Sequence, residues 1–191
     1  RPGLLYPTQT FEDSLKFEVS GIKIELYHAP GETDDQIFVW LPEKKALFPG
    51  DNVYKTFPNL YTIRGTPYRD LAGWVSSIDM MRYLEPEYLI PSHTRPLIGK
   101  DEISSVLTTY RDGIQFIHDQ TIRLMNTGLN PDEIAEVIVL PKHLGDSPFL
   151  QEFYGSPAWS ARNVFSGYLG WFDGNPSTLK PLTLKKEAEN I

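Results

Sequence analysis

Cysteine is absent from all 191 residues. That excludes a disulfide framework, a thiolate metal site and a cysteine nucleophile. Histidine is scarce: His28, His93, His118 and His143 are the only four, and no two of them are close in sequence. No run of about 18 apolar residues occurs, so the chain offers no membrane-spanning helix. Internal repeats and low-complexity tracts are missing as well, which excludes a solenoid. Positive charge is in short supply, with 18 Lys and Arg against 25 Asp and Glu and a formal net charge of −7. The resulting field repels nucleic acid and anionic membranes, and neither is expected as a partner. An anionic substrate would have to be held by local cations. The chain opens Arg1-Pro2-Gly3, without Met or a signal peptide, and reads as an internal piece of a longer protein.

What is present is enough for a core. Hydrophobic residues make up 40% and aromatics 13%. The length allows one large domain, or one domain with part of a second. From Lys16 to Leu26 the apolar side chains alternate on odd positions before Ser20-Gly21 and on even positions after it, the signature of a β-hairpin. The second strand runs to His28 and stops at Pro30-Gly31. Gln36 to Leu41 and Ala46 to Phe48 are further strands, separated by the turn at Pro42. Tyr68 to Arg82 has a helical pattern, and Tyr88 to Pro91 is a short buried strand. The spacing of Ile103, Val106, Leu107, Tyr110, Ile114, Ile117 and Leu124 predicts a long helix to Asn126. Asn130-Pro131-Asp132-Glu133 reads as the start of another, with an N-cap, Pro at N1 and acid at N3, and Pro141 as its end. A last helix covers Ala158 to Leu169. The tail from Lys180 reads as a connector, and Tyr168 to Phe172 as core. Residues 1–126 are therefore β-rich and then helical, and 127–191 form a helical extension.

Three strand ends each deliver a metal-ligating side chain. Glu32 follows Pro30-Gly31, Asp51 follows Gly50, and His93 follows Ser92. Strand ends at one edge of a sheet converge whatever their separation in sequence. Two carboxylates and an imidazole suit zinc, manganese or iron(II). Read singly, each could be an ordinary turn residue. Asp34 and Asp35 read as solvated turn residues, and His28 as a rival ligand or a packed imidazole. Arg69 and Arg95 read as partners in surface ion pairs.

Pro30-Gly31-Glu32-Thr33, Leu47-Phe48-Pro49-Gly50-Asp51-Asn52 and Ile90-Pro91-Ser92-His93 together resemble the later half of the metallo-β-lactamase fold. Glu32 stands where most of that superfamily has His. With Asn59-Leu60-Tyr61-Thr62-Ile63-Arg64-Gly65, His118-Asp119-Gln120-Thr121-Ile122-Arg123-Leu124, and Tyr154-Gly155-Ser156 followed by Gly167 to Pro176, the chain is similar to the alkylsulfatase branch, over roughly residues 20–180. The resemblance implies an α/β fold, the second half of an αββα sandwich followed by helices leading to a dimerisation region, and a homodimer. It implies zinc-dependent hydrolysis of alkyl sulfate esters such as dodecyl sulfate. Glu32, Asp51 and His93 would be ligands of a dinuclear zinc centre, and Arg64 and Arg123 would bind the sulfate. Asp51 is a departure, since the branch commonly has Glu there. The family's His-x-His-x-Asp-His motif is missing from these residues, so its ligands are expected upstream or on another polypeptide, and the chain alone is expected to be inactive. The sequence itself gives no compartment; the resemblance alone leans toward a periplasmic or secreted protein. Two other readings stay open at this point: a hydrolase of thioesters, lactones or phosphodiesters on the same fold, and a metal-free piece with a structural role.

Overall fold

The structure, a computed structural model, describes residues 3–61 and 67–189. Among them, six strands form one mixed sheet whose spatial order follows the chain. β1 (Ser14–Val19) and β2 (Ile22–His28) are the predicted hairpin, with Val19 opposite Ile22. Its turn residues Ser20 and Gly21 both have positive φ, which matches the right-handed twist of the flanking strands. β3 (Ile37–Leu41) lies antiparallel to β2 and buries Phe38 and Trp40 on one face. β4 (Ala46–Phe48) is antiparallel to β3. The chain then leaves the sheet and returns as β5 (Tyr88–Leu89), parallel to β4. β6 (Leu97–Ile98) closes the sheet, antiparallel to β5.

A parallel pair needs a long crossover, and here it carries α1 (Leu71–Tyr83). That helix begins later than the apolar pattern predicted, because the Asp70 carboxylate caps it by accepting from the Ala72 N–H. Its buried residues Leu71, Trp74, Val75, Ile78 and Met81 follow the spacing of one helical face. α2 (Lys100–Met125) starts before the predicted Ile103. Its first turn is polar and gives no apolar signal, but Asp101 and Glu102 suit the positive end of the helix dipole. α3 (Pro131–Val137) opens on a reciprocal capping box between Asn130 and Glu133, as the sequence predicted, and ends before Pro141. α4 (Lys142–Gly145) is a single turn. α5 (Pro157–Leu169) is capped by the Ser156 hydroxyl. α6 (Pro176–Leu179) follows, and α7 (Leu184–Glu189) makes the tail from Lys180 partly helical where a plain connector was expected.

α1 packs on α2, α2 on α5, and α5 on α3, so one continuous core runs from Ala29 and Phe38 in the sheet to Val164 and Phe165 in α5. Tyr168 to Phe172 correct the sequence reading. They were expected in the core, yet Tyr168, Leu169 and Trp171 are exposed, the last by 75%. The chain runs off the core at the end of α5, where helical spacing has no neighbour to pack against.

Two close approaches tie the later helices to the first half of the chain. Gly155 donates its N–H to the Phe57 carbonyl at 3.1 Å, and a Cβ there would lie 1.9 Å from the Pro58 carbonyl oxygen. Gly167 faces the Tyr68 ring, 2.3 Å from where a Cβ would stand. Since the obstacle at Gly155 is backbone, Gly155→Ala should cost about 2 kcal/mol, read as a lower urea midpoint with an unchanged slope. Asn130→Ala should cost about 1 kcal/mol by the same measurement, because it removes the capping box without disturbing the core.

Candidate metal centre

β2 runs antiparallel to β3, and β3 antiparallel to β4, so β2 and β4 point the same way; β5 is parallel to β4. The C-terminal ends of all three therefore emerge at one edge of the sheet. That edge is where Glu32, Asp51 and His93 follow their strands. The edge is stitched by the Ser92 N–H donating to the Gly50 carbonyl at 3.3 Å. Glu32, Asp51 and His93 line one cavity of about 520 Å³, together with Tyr54, Thr56, Thr94 and Tyr154.

Asn52 sets the two acidic turns against each other. It is fully buried. Its Nδ2 donates to the Ala29 carbonyl at 2.7 Å and its Oδ1 accepts from the Glu32 N–H at 3.2 Å. Gly31 is required beside it, since a Cβ there would sit 2.1 Å from Asn52 Oδ1. The Asn52 carbonyl accepts from Trp74 Nε1 at 3.0 Å, and the Ser77 hydroxyl donates to the Pro30 carbonyl at 2.7 Å. Helix α1 thus holds both turns from below.

The three candidate ligands differ in setting. Asp51 Oδ1 and His93 Nδ1 are 2.7 Å apart, so the structure brings this pair together. The His93 side chain is 71% exposed. Thr94, directly after it, has φ 70, a conformation that a β-branched residue rarely adopts. Such strain is held where the surroundings over-determine the backbone. Glu32 lines the same cavity but is nearly buried, 12% exposed, and its Oε1 accepts from Arg69 Nη2 at 3.0 Å. Arg69 is 4% exposed and also donates from Nη1 to the Asn59 carbonyl. The surface ion pair expected of Arg69 is therefore a buried one. Asn59 donates its backbone N–H to the Tyr54 hydroxyl oxygen at 2.6 Å and its Nδ2 to the Tyr154 hydroxyl at 3.2 Å. Burial pushes the Tyr54 phenol well up, so it stays neutral in the cavity wall.

The donor types fit zinc: two carboxylates and an imidazole on one cavity. The count does not fill a dinuclear centre, and no group of three or more His, Asp or Glu among the described residues is assembled closely enough to hold an ion. Arg123 was expected beside the sulfate. It lies exposed in the last turn of α2, bonded through Nε to Gln120 Oε1 at 2.8 Å, and is not among the residues lining the cavity. Arg64 lies outside the described residues. His28, the rival ligand, is not among the residues lining the cavity, and its Nε2 is bonded to the Asp34 carbonyl at 2.7 Å. His118 joins α2 to α5, with Nδ1 on Asp119 Oδ1 and Nε2 on the Tyr168 hydroxyl, both at 2.8 Å. The sequence reading gave no role to Asn52, Tyr54 or Tyr154. Asn52 and Tyr154 stand in stretches that carry the resemblance, but nothing in the local pattern signals Tyr54.

The metallo-β-lactamase superfamily model matches residues 6–93, and the alkyl sulfatase dimerisation model matches residues 130–191. A linear primary-alkylsulfatase of Pseudomonas sp. (strain ATCC 19151) is 41% identical over 97% of this chain and 35% of its own length. An (R)-specific secondary-alkylsulfatase of Pseudomonas sp. is 35% identical over 85% of the chain and 25% of its own length. The chain thus spans 25–35% of the length of these relatives. A solved double mutant of the sec-alkyl sulfatase PisA1 superposes with a TM-score of 0.90 at 31% identity, over 98% of this chain and 30% of that one. The similarity extends through both the sheet that carries Glu32, Asp51 and His93 and the helices behind it: the chain belongs to the metallo-β-lactamase superfamily, in its alkylsulfatase branch.

Proposed function

We propose that this chain is part of a zinc-dependent alkylsulfatase that hydrolyses alkyl sulfate esters to alcohol and sulfate. The observation that carries the reading is the convergence of Glu32, Asp51 and His93 on one cavity, in a chain whose relatives are alkylsulfatases. In this reading Glu32 would hold one metal and His93 the other, with Asp51 as a carboxylate ligand available to both. The remaining ligands come from a His-x-His-x-Asp-His segment outside these 191 residues, because three donors are too few for two ions. Bound zinc would supply Lewis acidity and a water acidic enough to react near neutral pH.

The other roles belong to the protein's own residues. The Asp51 carboxylate on Nδ1 of His93 orients the ring and holds its tautomer, so that Nε2 is free to ligate. Arg64 and Arg123 are assigned to the sulfate, where a guanidinium fork meets two oxygens at once. Arg123 would have to exchange its bond to Gln120 Oε1 for the sulfate. The Tyr54 and Tyr154 rings, 5.7 Å apart and edge to face, give the cavity an apolar wall beside which an alkyl chain could lie. Leu169, Trp171, Leu179, Leu182 and Leu184 are exposed. All five fall within the stretch that matches the dimerisation model, which supports a homodimer formed through residues 127–191.

The test is zinc content and sulfate release from dodecyl sulfate by the complete protein. About two zincs per subunit are expected. His93→Ala and Asp51→Asn should each lose zinc and slow the reaction at least about a hundredfold. Arg64→Ala should keep both zincs and raise KM about tenfold or more, as expected for loss of a charge-assisted bond. Arg123→Ala should move KM in the same direction. A zinc-loaded protein that spares sulfate esters would overturn the substrate reading and leave the fold untouched.

A further inference from the structure

We propose that Arg69 is the positioning residue for Glu32, restricting that carboxylate to one oxygen for the metal. The proposal rests on the metal reading above. Arg69 Nη2 holds Glu32 Oε1 at 3.0 Å with both side chains nearly buried, at 4% and 12% exposure. A carboxylate with one oxygen fixed in this way has its second oxygen left for an ion, and its rotation about the terminal bond is stopped. Glu32 also has its own N–H anchored on Asn52. The residue is therefore held at both its backbone and its side chain before any ion arrives.

The guanidinium does more than neutralise. Its Nη1 reaches the Asn59 carbonyl, so a single planar fork joins the Glu32 turn to the turn at Asn59. From the far side, Asn163 Nδ2 donates to the Leu60 carbonyl at 2.7 Å and to the Arg69 carbonyl at 3.4 Å. The residues on either side of 62–66 are thus tied to each other and to α5. A lysine could satisfy the charge but has no fork with which to reach both acceptors.

Stability alone does not account for this arrangement. A buried ion pair is often replaced by apolar residues at no loss. Arg69 moreover keeps a buried Nε without a partner among the described residues, a costly group to retain. An arrangement that is costly as packing, aimed at a carboxylate on the cavity, fits orientation. Supporting residues of this kind typically change metal affinity when removed, by about 10–100-fold.

The experiment measures zinc affinity of the complete protein by competition with a chromogenic chelator, alongside melting of the zinc-free forms. R69M should bind one of its two zincs about 10–100-fold more weakly, and R69K should recover part of the loss. Because R69M leaves Glu32 as an uncompensated buried charge and could fail to fold, the R69M/E32Q double variant is measured beside E32Q. Equal zinc affinity in those two shows that Arg69 acts through Glu32. Wild-type affinity in R69M overturns the proposal, as does a double variant weaker than E32Q by the full R69M factor. A wild-type protein that binds no zinc overturns the metal reading itself, and this proposal falls with it.

Discussion

The site depends on one buried amide. Asn52 is fully buried, so its side chain must find partners in the protein, and it finds them on the backbone of the Glu32 turn. Gly31 leaves the space it occupies, and Trp74 and Ser77 of α1 bond to the same two turns from beneath. The turn after β2 and the turn after β4 are therefore fixed in register. Their acidic side chains meet one cavity because of a side chain that is not itself among those lining it.

The topology does the rest. Because β2, β4 and β5 run the same way, their turns leave the sheet at one edge, as ligand-binding loops do in open α/β sheets. β4 and β5 can be parallel neighbours only through a crossover, and the crossover is the segment that contains Arg69 and α1. The connection that the sheet requires thus also supplies the cation that holds Glu32.

Electrostatics gives the site two opposed tasks. Glu32 and Asp51 attract cations, and the net charge of −7 strengthens that field. The same field disfavours a sulfate. Among the described residues, the cavity lining includes no Lys or Arg, and Arg69 is engaged with Glu32. Bound metal would reverse the sign locally, which makes ion binding and substrate binding parts of one process in the proposed enzyme.

By itself the sequence determined the hairpin, the strands through β5, the long helix, the Asn130 cap and the three strand-end candidates for metal ligation. These are set by local alternation, 3.6-residue spacing, capping chemistry and turn residues, all of which act within a few positions. Only the tertiary structure decided the rest. Arg69 reads in sequence like any other arginine, and becomes a buried clamp because Glu32 and the Asn59 carbonyl, 37 and 10 residues away, converge on it. Tyr168 to Trp171 read as core, and lie exposed because α5 outruns the layer it packs on. Arg123 continues a helical pattern either way; whether its face meets the cavity or solvent is settled by how α2 sits against α1 and α5. Such outcomes depend on contacts between distant segments, and no local pattern of side chains encodes them.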